Sequence, residues 1–317
     1  MTVTTRCERV LITGSCGFIG TNIAVYYLDQ GLEVYGIDNM SRRGSKDNLE
    51  VLRKYPNYQH IQEDVIDGLG LMPAVDAIFH MAAQVGVGKS IKSPRLDLFS
   101  NTVTTFEVLE YARRHDIKPF VVFASTNKVY GDIQVDEPVG EDTQLNFHTP
   151  YGVSKGAADQ YVLDYSRIYD IPTVSFRQSC IYGPYQHGAE EQGWVAWFLI
   201  ANRDGLPITI FGNGHQVRDV LHVDDLVRLY DLAWKNKDKV SGQAYNTGGG
   251  PENVISLMDL IDIADIDTGI SYDDWRPADQ KYYVSDISKL KKDLNWEPAI
   301  DAKPGILSLK EWFDRSA

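Results

Sequence analysis

The chain has 317 residues, 43% of them hydrophobic, which is enough for about two domains with a sizeable core. Its formal net charge is -13 and no basic run interrupts the acidic residues, so nucleic acid and anionic membranes are excluded as expected partners. Three cysteines without metal-ligand spacing predict neither a metal site nor a disulfide framework. Without a signal-peptide pattern or a long apolar stretch, we expect a cytoplasmic protein.

The first predicted elements surround a glycine-rich turn. Hydrophobic periodicity predicts strands over residues 9–13 and 33–37 and a helix over residues 21–29. Gly14 and Gly17 lie between the first strand and the helix, where they would let the backbone approach a pyrophosphate. Gly20 would let the helix lie close to the sheet. The sequence therefore predicts a dinucleotide site at this turn.

Asp38 follows the second strand, where an acid is expected to accept the adenosine ribose hydroxyls. A carboxylate there would repel a 2'-phosphate, so we predict NAD as the cofactor, although Arg42 and Arg43 could attract such a phosphate. The cofactor contacts predicted in this part of the chain are Gly14, Cys16, Gly17, Phe18, Ile19, Gly20, Asp38, Asn39, Ser41 and Arg42.

Alternating strands and helices then continue along the chain. Apolar runs predict strands over residues 77–82 and 120–124 and a helix over residues 102–113. This order indicates an α/β fold with a doubly wound parallel sheet, whose ligands bind beyond the carboxyl ends of the strands. The residues expected at those ends, and therefore at the cofactor, are Asp64, Val65, Ala82, Ala83, Gln84 and Ser125.

Tyr151 and Lys155 lie four positions apart on a predicted helix and so share one face. A tyrosine that acts as a base near pH 7 requires its phenolate to be stabilised by roughly 4 kcal/mol. A neighbouring lysine and the positive nicotinamide ring of an oxidised cofactor could supply that stabilisation. The pair therefore predicts a catalytic base that also contacts the cofactor.

Taken together, these motifs resemble the extended short-chain dehydrogenases/reductases that modify nucleotide sugars, the NAD-dependent epimerase/dehydratase family. The motifs that carry the resemblance are the glycine turn, Asp38-Asn39, Asp64-Val65, His80-Met81-Ala82-Ala83, Asn101, Ser125-Thr126, Val129-Tyr130-Gly131-Asp132, Tyr151 with Lys155, Tyr182-Gly183-Pro184, residues 212–219, and Arg276-Pro277 with Asp279. The resemblance implies a Rossmann-like domain of residues 1–177 plus 218–250. It also implies a smaller nucleotide-sugar domain of residues 178–217 plus 251–317, and a homodimer formed through the helices near 101–114 and 151–169.

The same resemblance implies roles for single residues. Thr126 and Tyr151 would bind the sugar hydroxyl that is oxidised, and Lys155 would hold the nicotinamide ribose. Asn101 would hold backbone or water in the proton path, next to the cofactor. Arg218 and Arg276 would bind the nucleotide diphosphate. The predicted substrate contacts are Gln84, Lys89, Thr126, Asn127, Phe147, His148, Cys180, Gln192, Arg218 and Arg276.

Two departures from the family pattern bear on the reaction. Related 4,6-dehydratases carry an acid pair directly after the catalytic threonine, where this chain has Asn127 and Lys128. Neither residue replaces a carboxylic acid at neutral pH, so elimination of water is disfavoured. Many relatives have asparagine in place of Cys180, which suggests a different sugar contact or only a small buried thiol.

Within the family, the motifs after Ser125 are most similar to the enzymes that invert C2 of CDP-linked dideoxyhexoses. The predicted function is therefore an NAD-dependent nucleotide-sugar epimerase that oxidises a sugar carbon transiently to a ketone. The alternatives are a UDP-sugar 4-epimerase, a 4,6-dehydratase and a non-catalytic NAD-binding sensor.

Overall fold

A central parallel sheet carries the glycine turn and the helix with Tyr151 and Lys155 in the computed structural model, which describes residues 8–133, 136–190, 192–276 and 280–315. The strands in these ranges are β1 Arg9–Thr13, β2 Glu33–Ile37, β3 Tyr58–Ile61, β4 Ala77–His80, β5 Phe120–Thr126, β6 Thr173–Gln178, β7 Cys180–Tyr182, β8 Ile208–Phe211, β9 Val217–His222, β10 Gln243–Thr247, β11 Val254–Ser256, β12 Ile270–Asp273 and β13 Tyr282–Tyr283. The central sheet has seven of them in the order β10-β6-β5-β4-β1-β2-β3. All its pairs are parallel.

The helices in the same ranges are α1 Phe18–Asp29, α2 Ser45–Leu52, α3 Val65–Gly68, α4 Val87–Lys92, α5 Pro94–Leu98, α6 Thr104–Arg114, α7 Pro150–Tyr169, α8 Trp194–Arg203, α9 Val223–Lys235, α10 Lys237–Val240, α11 Leu257–Ala264, α12 Ser288–Leu294 and α13 Ala302–Arg315. A π-helical turn, Phe99–Val103, joins α5 to α6. None of the described helices is both long and apolar enough to cross a membrane.

Both faces of the central sheet are buried, as its alternating side chains require. In β1, Val10 and Ile12 point into one apolar cluster, whereas Leu11 points into the other. Because parallel strands covered by helices on both faces lose their contact with water, they consist of nearly continuous apolar runs. The predicted doubly wound α/β fold is confirmed.

A third apolar cluster forms around α8, α11 and α13, apart from the central sheet. Beside it, β9 pairs with β7, β11 and β13, and β8 pairs with β12. The predicted domain boundaries at residues 177, 217 and 250 stay a prediction. Strand β9, which that prediction assigns almost entirely to the Rossmann-like domain, pairs within this smaller sheet. Pro277 and Asp279 of the quoted motifs lie outside the described residues.

Three predicted helices and strands begin or end at other residues in the structure, and local backbone contacts explain the differences. Helix α1 begins at Phe18, three residues early, because Gly17 already has the extended backbone of a helix cap. Strand β5 continues to Thr126 because its pairing with β6 extends as far as Gln178. The predicted helix 102–113 begins inside the π-helical turn, which hydrophobic periodicity does not detect.

Candidate active site

The glycine turn after β1 is packed too tightly for side chains. Gly14 has φ +67°, and a Cβ atom there would lie 2.8 Å from the backbone nitrogen of Ala82. A Cβ atom on Gly20 would overlap the carbonyl oxygen of Gly14. The strand-to-helix turn therefore presents bare backbone beside the cavity, as a pyrophosphate site requires.

Asp38 is buried at the end of β2 and its carboxylate is fixed by backbone donors. The backbone N–H of Cys16 donates to Asp38 at 3.0 Å, and that of Met40 donates at 2.8 Å. The Cys16 thiol points away from the cavity, 3.9 Å from Nδ1 of His60, and burial raises its pKa to about 11. Cys16 therefore acts at this site through its backbone.

Helix α7, which carries the predicted catalytic pair, begins where its sequence requires. The Thr149 hydroxyl accepts a hydrogen bond from the backbone N–H of Gly152 at 3.1 Å, and Pro150 occupies the first helical position. The helix thus presents Tyr151 and Lys155 on one face, and both are buried. Tyr151 forms a hydrogen bond with the side chain of Thr126 at the end of β5.

Burial dominates the protonation of this pair. Desolvation raises the pKa of Tyr151 to about 12, although the hydrogen bond with Thr126 lowers it. Desolvation also lowers the pKa of Lys155 to about 7, against the charges of Asp159 and Asp97, which raise it. The protein groups alone therefore keep the phenol protonated at neutral pH, so the expected decrease in the tyrosine pKa depends on the positive charge of an oxidised cofactor.

Asn101 lies in the π-helical turn and holds a loop rather than facing the cavity. Its side-chain oxygen accepts from the backbone N–H of Gln84 at 2.9 Å, and its amide donates to Asp97 and to the Ser154 hydroxyl at 3.2 and 3.0 Å. The Gln84 side chain donates to Asp97 at 2.8 Å. These polar groups form a buried network behind Tyr151 and Lys155.

A cavity of about 540 Å³ lies over the carboxyl ends of the central strands, a size typical of ligand sites. The predicted site residues that line it are Gly14, Gly17, Phe18, Ile19, Gly20, Asp38, Asn39, Ser41, Arg42, Asp64, Val65, Ala82, Ala83, Gln84, Lys89, Ser125, Thr126, Tyr151, Lys155, Cys180 and Gln192. Those outside its lining are Cys16, Asn101, Asn127, Phe147, His148, Arg218 and Arg276.

Several predicted sugar contacts have other partners in this structure. Phe147 packs on Gly156, where a Cβ atom would overlap the Phe147 ring. It also packs against the apolar cluster of Val129, Tyr130, Val139 and Tyr283. Arg218 is buried and donates to the carbonyl oxygens of Val217 and Gln280. Each of these residues stays a predicted contact.

Arg276 and His148 also lie apart from the cavity lining. The Arg276 guanidinium stacks 3.8 Å from the ring centre of Phe211 and donates to the carbonyl oxygen of Glu190 at 3.1 Å. His148 is exposed and lies beside Gly131. Their substrate roles also stay predictions.

The cavity wall opposite the glycine turn comes from the segment that leads into α8, which sequence reasoning underestimated. Trp194 was not predicted as a site residue, but it lines the cavity and its indole N–H donates to the Cys180 sulfur at 3.4 Å. Across the cavity mouth, the Arg42 guanidinium donates to the side-chain oxygen of Gln192. Gln186 and Val195 also line this wall, and neither was predicted as a site residue.

The cavity residues fit NAD. Besides the bare glycine turn and Asp38, the buried Ser125 hydroxyl has no hydrogen-bond partner, so it is available to a ligand at the carboxyl end of β5. When bound, NAD supplies hydride acceptance and return. Across the described residues, no group of three or more His, Cys, Asp or Glu side chains could hold a metal ion.

The chain belongs to the NAD dependent epimerase/dehydratase family, whose sequence profile matches residues 10–248. Among curated relatives it is similar to CDP-paratose 2-epimerase of Salmonella typhi, with 40% identity over 96% of this chain and 98% of that protein. It is also similar to a putative UDP-glucose 4-epimerase of Methanocaldococcus jannaschii, with 31% identity over 96% and 98% of the two chains.

Among solved structures, UDP-glucuronic acid 4-epimerase from Bacillus cereus, in complex with UDP-glucuronic acid and NAD, superposes with a TM-score of 0.87. The two chains are 26% identical, and the match covers 98% of this chain and all of that one. The predicted family, its enzymatic nature and the predicted cofactor NAD are confirmed.

Proposed function

We propose that this protein is an NAD-dependent nucleotide-sugar epimerase that inverts C2 of a CDP-linked dideoxyhexose. The observation that carries the proposal is the pair of residues after Thr126. The Asn127 side chain accepts a hydrogen bond from Thr126 at 3.4 Å, and Nζ of Lys128 donates to Gln280 at 3.0 Å. Neither supplies the acid that elimination of water requires, so the trio of Thr126, Tyr151 and Lys155 supports oxidation and reduction alone.

The similarity to CDP-paratose 2-epimerase supports C2 as the carbon that reacts. Tyr151, as the phenolate, would take the proton from the C2 hydroxyl while Thr126 holds the same oxygen by a hydrogen bond. The Lys155 ammonium would stabilise the phenolate and bind the nicotinamide ribose. When bound, NAD⁺ would accept the hydride from C2 as the proton leaves. Return of that hydride to the opposite face of the keto-sugar would invert C2, so the reaction has no net redox change.

The nucleotide diphosphate requires positive charge in a strongly acidic chain. We assign this role to Arg218 and Arg276, because a guanidinium can donate two parallel hydrogen bonds to a phosphate. Burial raises the pKa of the Cys180 thiol and the charge of Arg218 lowers it, so Arg218, although outside the cavity lining, acts electrostatically on a residue of the cavity wall. The Cys180 sulfur, which accepts a hydrogen bond from Trp194, would then contact the sugar as a weakly polar group.

A substrate deuterated at C2 tests the proposal. We expect the inverted product to retain the deuterium, because the hydride returns to the carbon that it left, and we expect a kinetic isotope effect if hydride transfer limits the rate. The same CDP-sugar labelled at C4 is the control and should react at the normal rate. Product analysis by NMR and mass spectrometry measures both labels.

Other outcomes would replace the proposal. Loss of the C2 label to solvent would indicate proton abstraction at C2, and a primary isotope effect from C4 would indicate a 4-epimerase. Turnover of UDP-sugars in preference to CDP-sugars would support the alternative that the Methanocaldococcus jannaschii relative suggests. Binding without turnover of any nucleotide sugar would support a non-catalytic sensor.

We also propose that the protein is a cytoplasmic homodimer. Large apolar side chains are exposed along α5, the π-helical turn, α6 and α7: Leu98 at 46%, Phe99 at 47%, Phe106 at 36% and Tyr161 at 44%. The Phe106 and Tyr161 rings are 6.0 Å apart, so this apolar surface continues from one helix to the next. Such a patch is typical of a surface between subunits.

Light scattering during size-exclusion chromatography tests the dimer. We expect the mass of two chains for the natural protein and of one chain for Phe106→Glu, because a charge on this surface opposes its burial. Tyr272→Glu on β12 places the same charge at another exposed aromatic residue and should leave the dimer intact. A monomeric natural protein, or a dimeric Phe106→Glu variant, would contradict the proposed surface.

A further inference from the structure

Asp97, at the C-terminal part of α5, is a fully buried carboxylate behind the catalytic helix. One oxygen accepts from the Gln84 amide at 2.8 Å and from the Asn101 amide at 3.2 Å, and the other accepts from the Ser154 hydroxyl at 2.5 Å. These donors belong to the loop after β4, to the π-helical turn and to α7. Asp97 therefore links three separate segments of the chain by hydrogen bonds, one of them to Ser154, which directly precedes Lys155.

The donors to Asp97 are all neutral, and within the described ranges no ion pair joins Asp97 to a lysine or an arginine. Asp159, one turn after Lys155, has a different environment. It is buried in an ion pair with Arg177, whose Nη2 lies 2.9 Å from its carboxylate. Asp159 therefore acts on both Arg177 and Lys155, and its charge raises the pKa of Lys155 more than that of Asp97 does. Asp97 is the second carboxylate that acts on Lys155, and it is held by neutral donors only.

Lys155 requires nearby negative charge because its own burial disfavours the ammonium. Its side chain is 3% exposed, and Nζ lies 4.1 Å from the centre of the Phe123 ring. The remaining groups that interact electrostatically with Lys155 are Asp159 on α7 and His80 on β4. Burial lowers the pKa of His80 to about 3, so this imidazole is neutral at physiological pH.

We infer that Asp97 is a positioning residue of the active site, whose buried carboxylate ties the Ser154 turn of α7 to the loop after β4 and, together with Asp159, favours the ammonium form of Lys155. This role differs from those of Thr126, Tyr151 and Lys155, because Asp97 acts through Ser154 and Lys155. The inference rests on the proposed catalytic role of Tyr151 and Lys155, and it does not depend on which sugar reacts.

The Asp97→Asn variant tests the charge with little change of shape. Removing the negative charge disfavours the ammonium, so the pKa of Lys155 should fall below its value of about 7. NMR titration of the protein with ¹³C-labelled lysine measures this directly, and Lys155→Met assigns the signal. The pH profile of kcat/KM should move to lower pH on both limbs, because Asp97 also raises the pKa of Tyr151.

Two further variants separate the charge of Asp97 from its hydrogen bond and from nonspecific effects. Ser154→Ala keeps the carboxylate but removes its shortest hydrogen bond, so it should slow turnover without an acid shift of the Lys155 titration. Asp164→Asn removes a carboxylate from the exposed side of the same helix, where Asp164 pairs with Arg167 at 3.1 Å. It should leave the titration and the pH profile unchanged.

An unchanged Lys155 midpoint in a folded Asp97→Asn protein would overturn the inference, as would a loss of activity equal at all pH values. If Asp97→Asn does not fold, Asp97→Ser removes the same charge and is measured in the same way. The NMR titration needs no substrate. A shifted midpoint in a protein that turns over no CDP-sugar would therefore reject the proposed function and keep the role of Asp97.

Discussion

Replacing Tyr151 with phenylalanine should remove nearly all turnover while nucleotide-sugar affinity changes only a few fold. The substitution deletes the hydroxyl that bonds to Thr126 but keeps the buried ring, so the cavity should keep its shape. Loss of a general base lowers rates by about 10² to 10⁴. Steady-state kinetics with the accepted nucleotide sugar, together with calorimetric binding, measure both effects.

Tyr169→Phe is the matched control, because it deletes the same atom from the exposed end of the same helix. This variant should retain normal kinetics. Loss of a general base typically leaves less than about a tenth of the activity. If Tyr151→Phe kept more than that, the base would have to be another group. If it lost affinity in proportion to turnover, Tyr151 would be a binding residue.

The second large effect concerns stability. Asp159 and Arg177 form an ion pair in which the side chains are 0% and 5% exposed, and the Ser175 hydroxyl also donates to Asp159. Asp159→Asn leaves the guanidinium buried without its counterion. Breaking a buried pair in this way costs about 3 to 5 kcal/mol, so the free energy of unfolding in urea should decrease by that amount.

Asp164→Asn provides the comparison for this loss. Its pair with Arg167 lies on the surface, where the side chains are 50% and 69% exposed, and such pairs contribute about 0 to 1 kcal/mol. Equal changes in the free energy of unfolding for the two variants would show that the buried pair contributes no more to stability than the surface pair. A fully stable Asp159→Asn protein would mean that water or another group replaces the lost charge.

Local spacing was sufficient to predict the cofactor side of the site. Gly14, Gly20 and Asp38 lie where strand, turn and strand place them, because each depends on neighbours within one β-α-β unit. The pair of Tyr151 and Lys155 was likewise predictable from helical spacing. For these residues the sequence determines the local backbone, and the backbone determines the position at the sheet edge.

Contacts between distant segments could not be predicted in this way. Ser154 meets Asp97 across 57 residues of sequence, and Trp194 meets Cys180 across a loop without a repeated pattern. The π-helical turn that carries Asn101 adds one residue to a helix, and an apolar stripe hides that addition. Tertiary packing, which a single sequence does not display, determines all of these positions.

The strand order of the central sheet also constrains how the chain can fold during synthesis. Strands β1 to β5 are contiguous in the sheet, so a growing chain can assemble them before later residues leave the ribosome. By contrast, β10 reaches its place beside β6 only after β7, β8 and β9 have been made. Pairing of β10 with β6 therefore joins residues far apart in sequence, and β6 is an unpaired edge strand until β10 has been made.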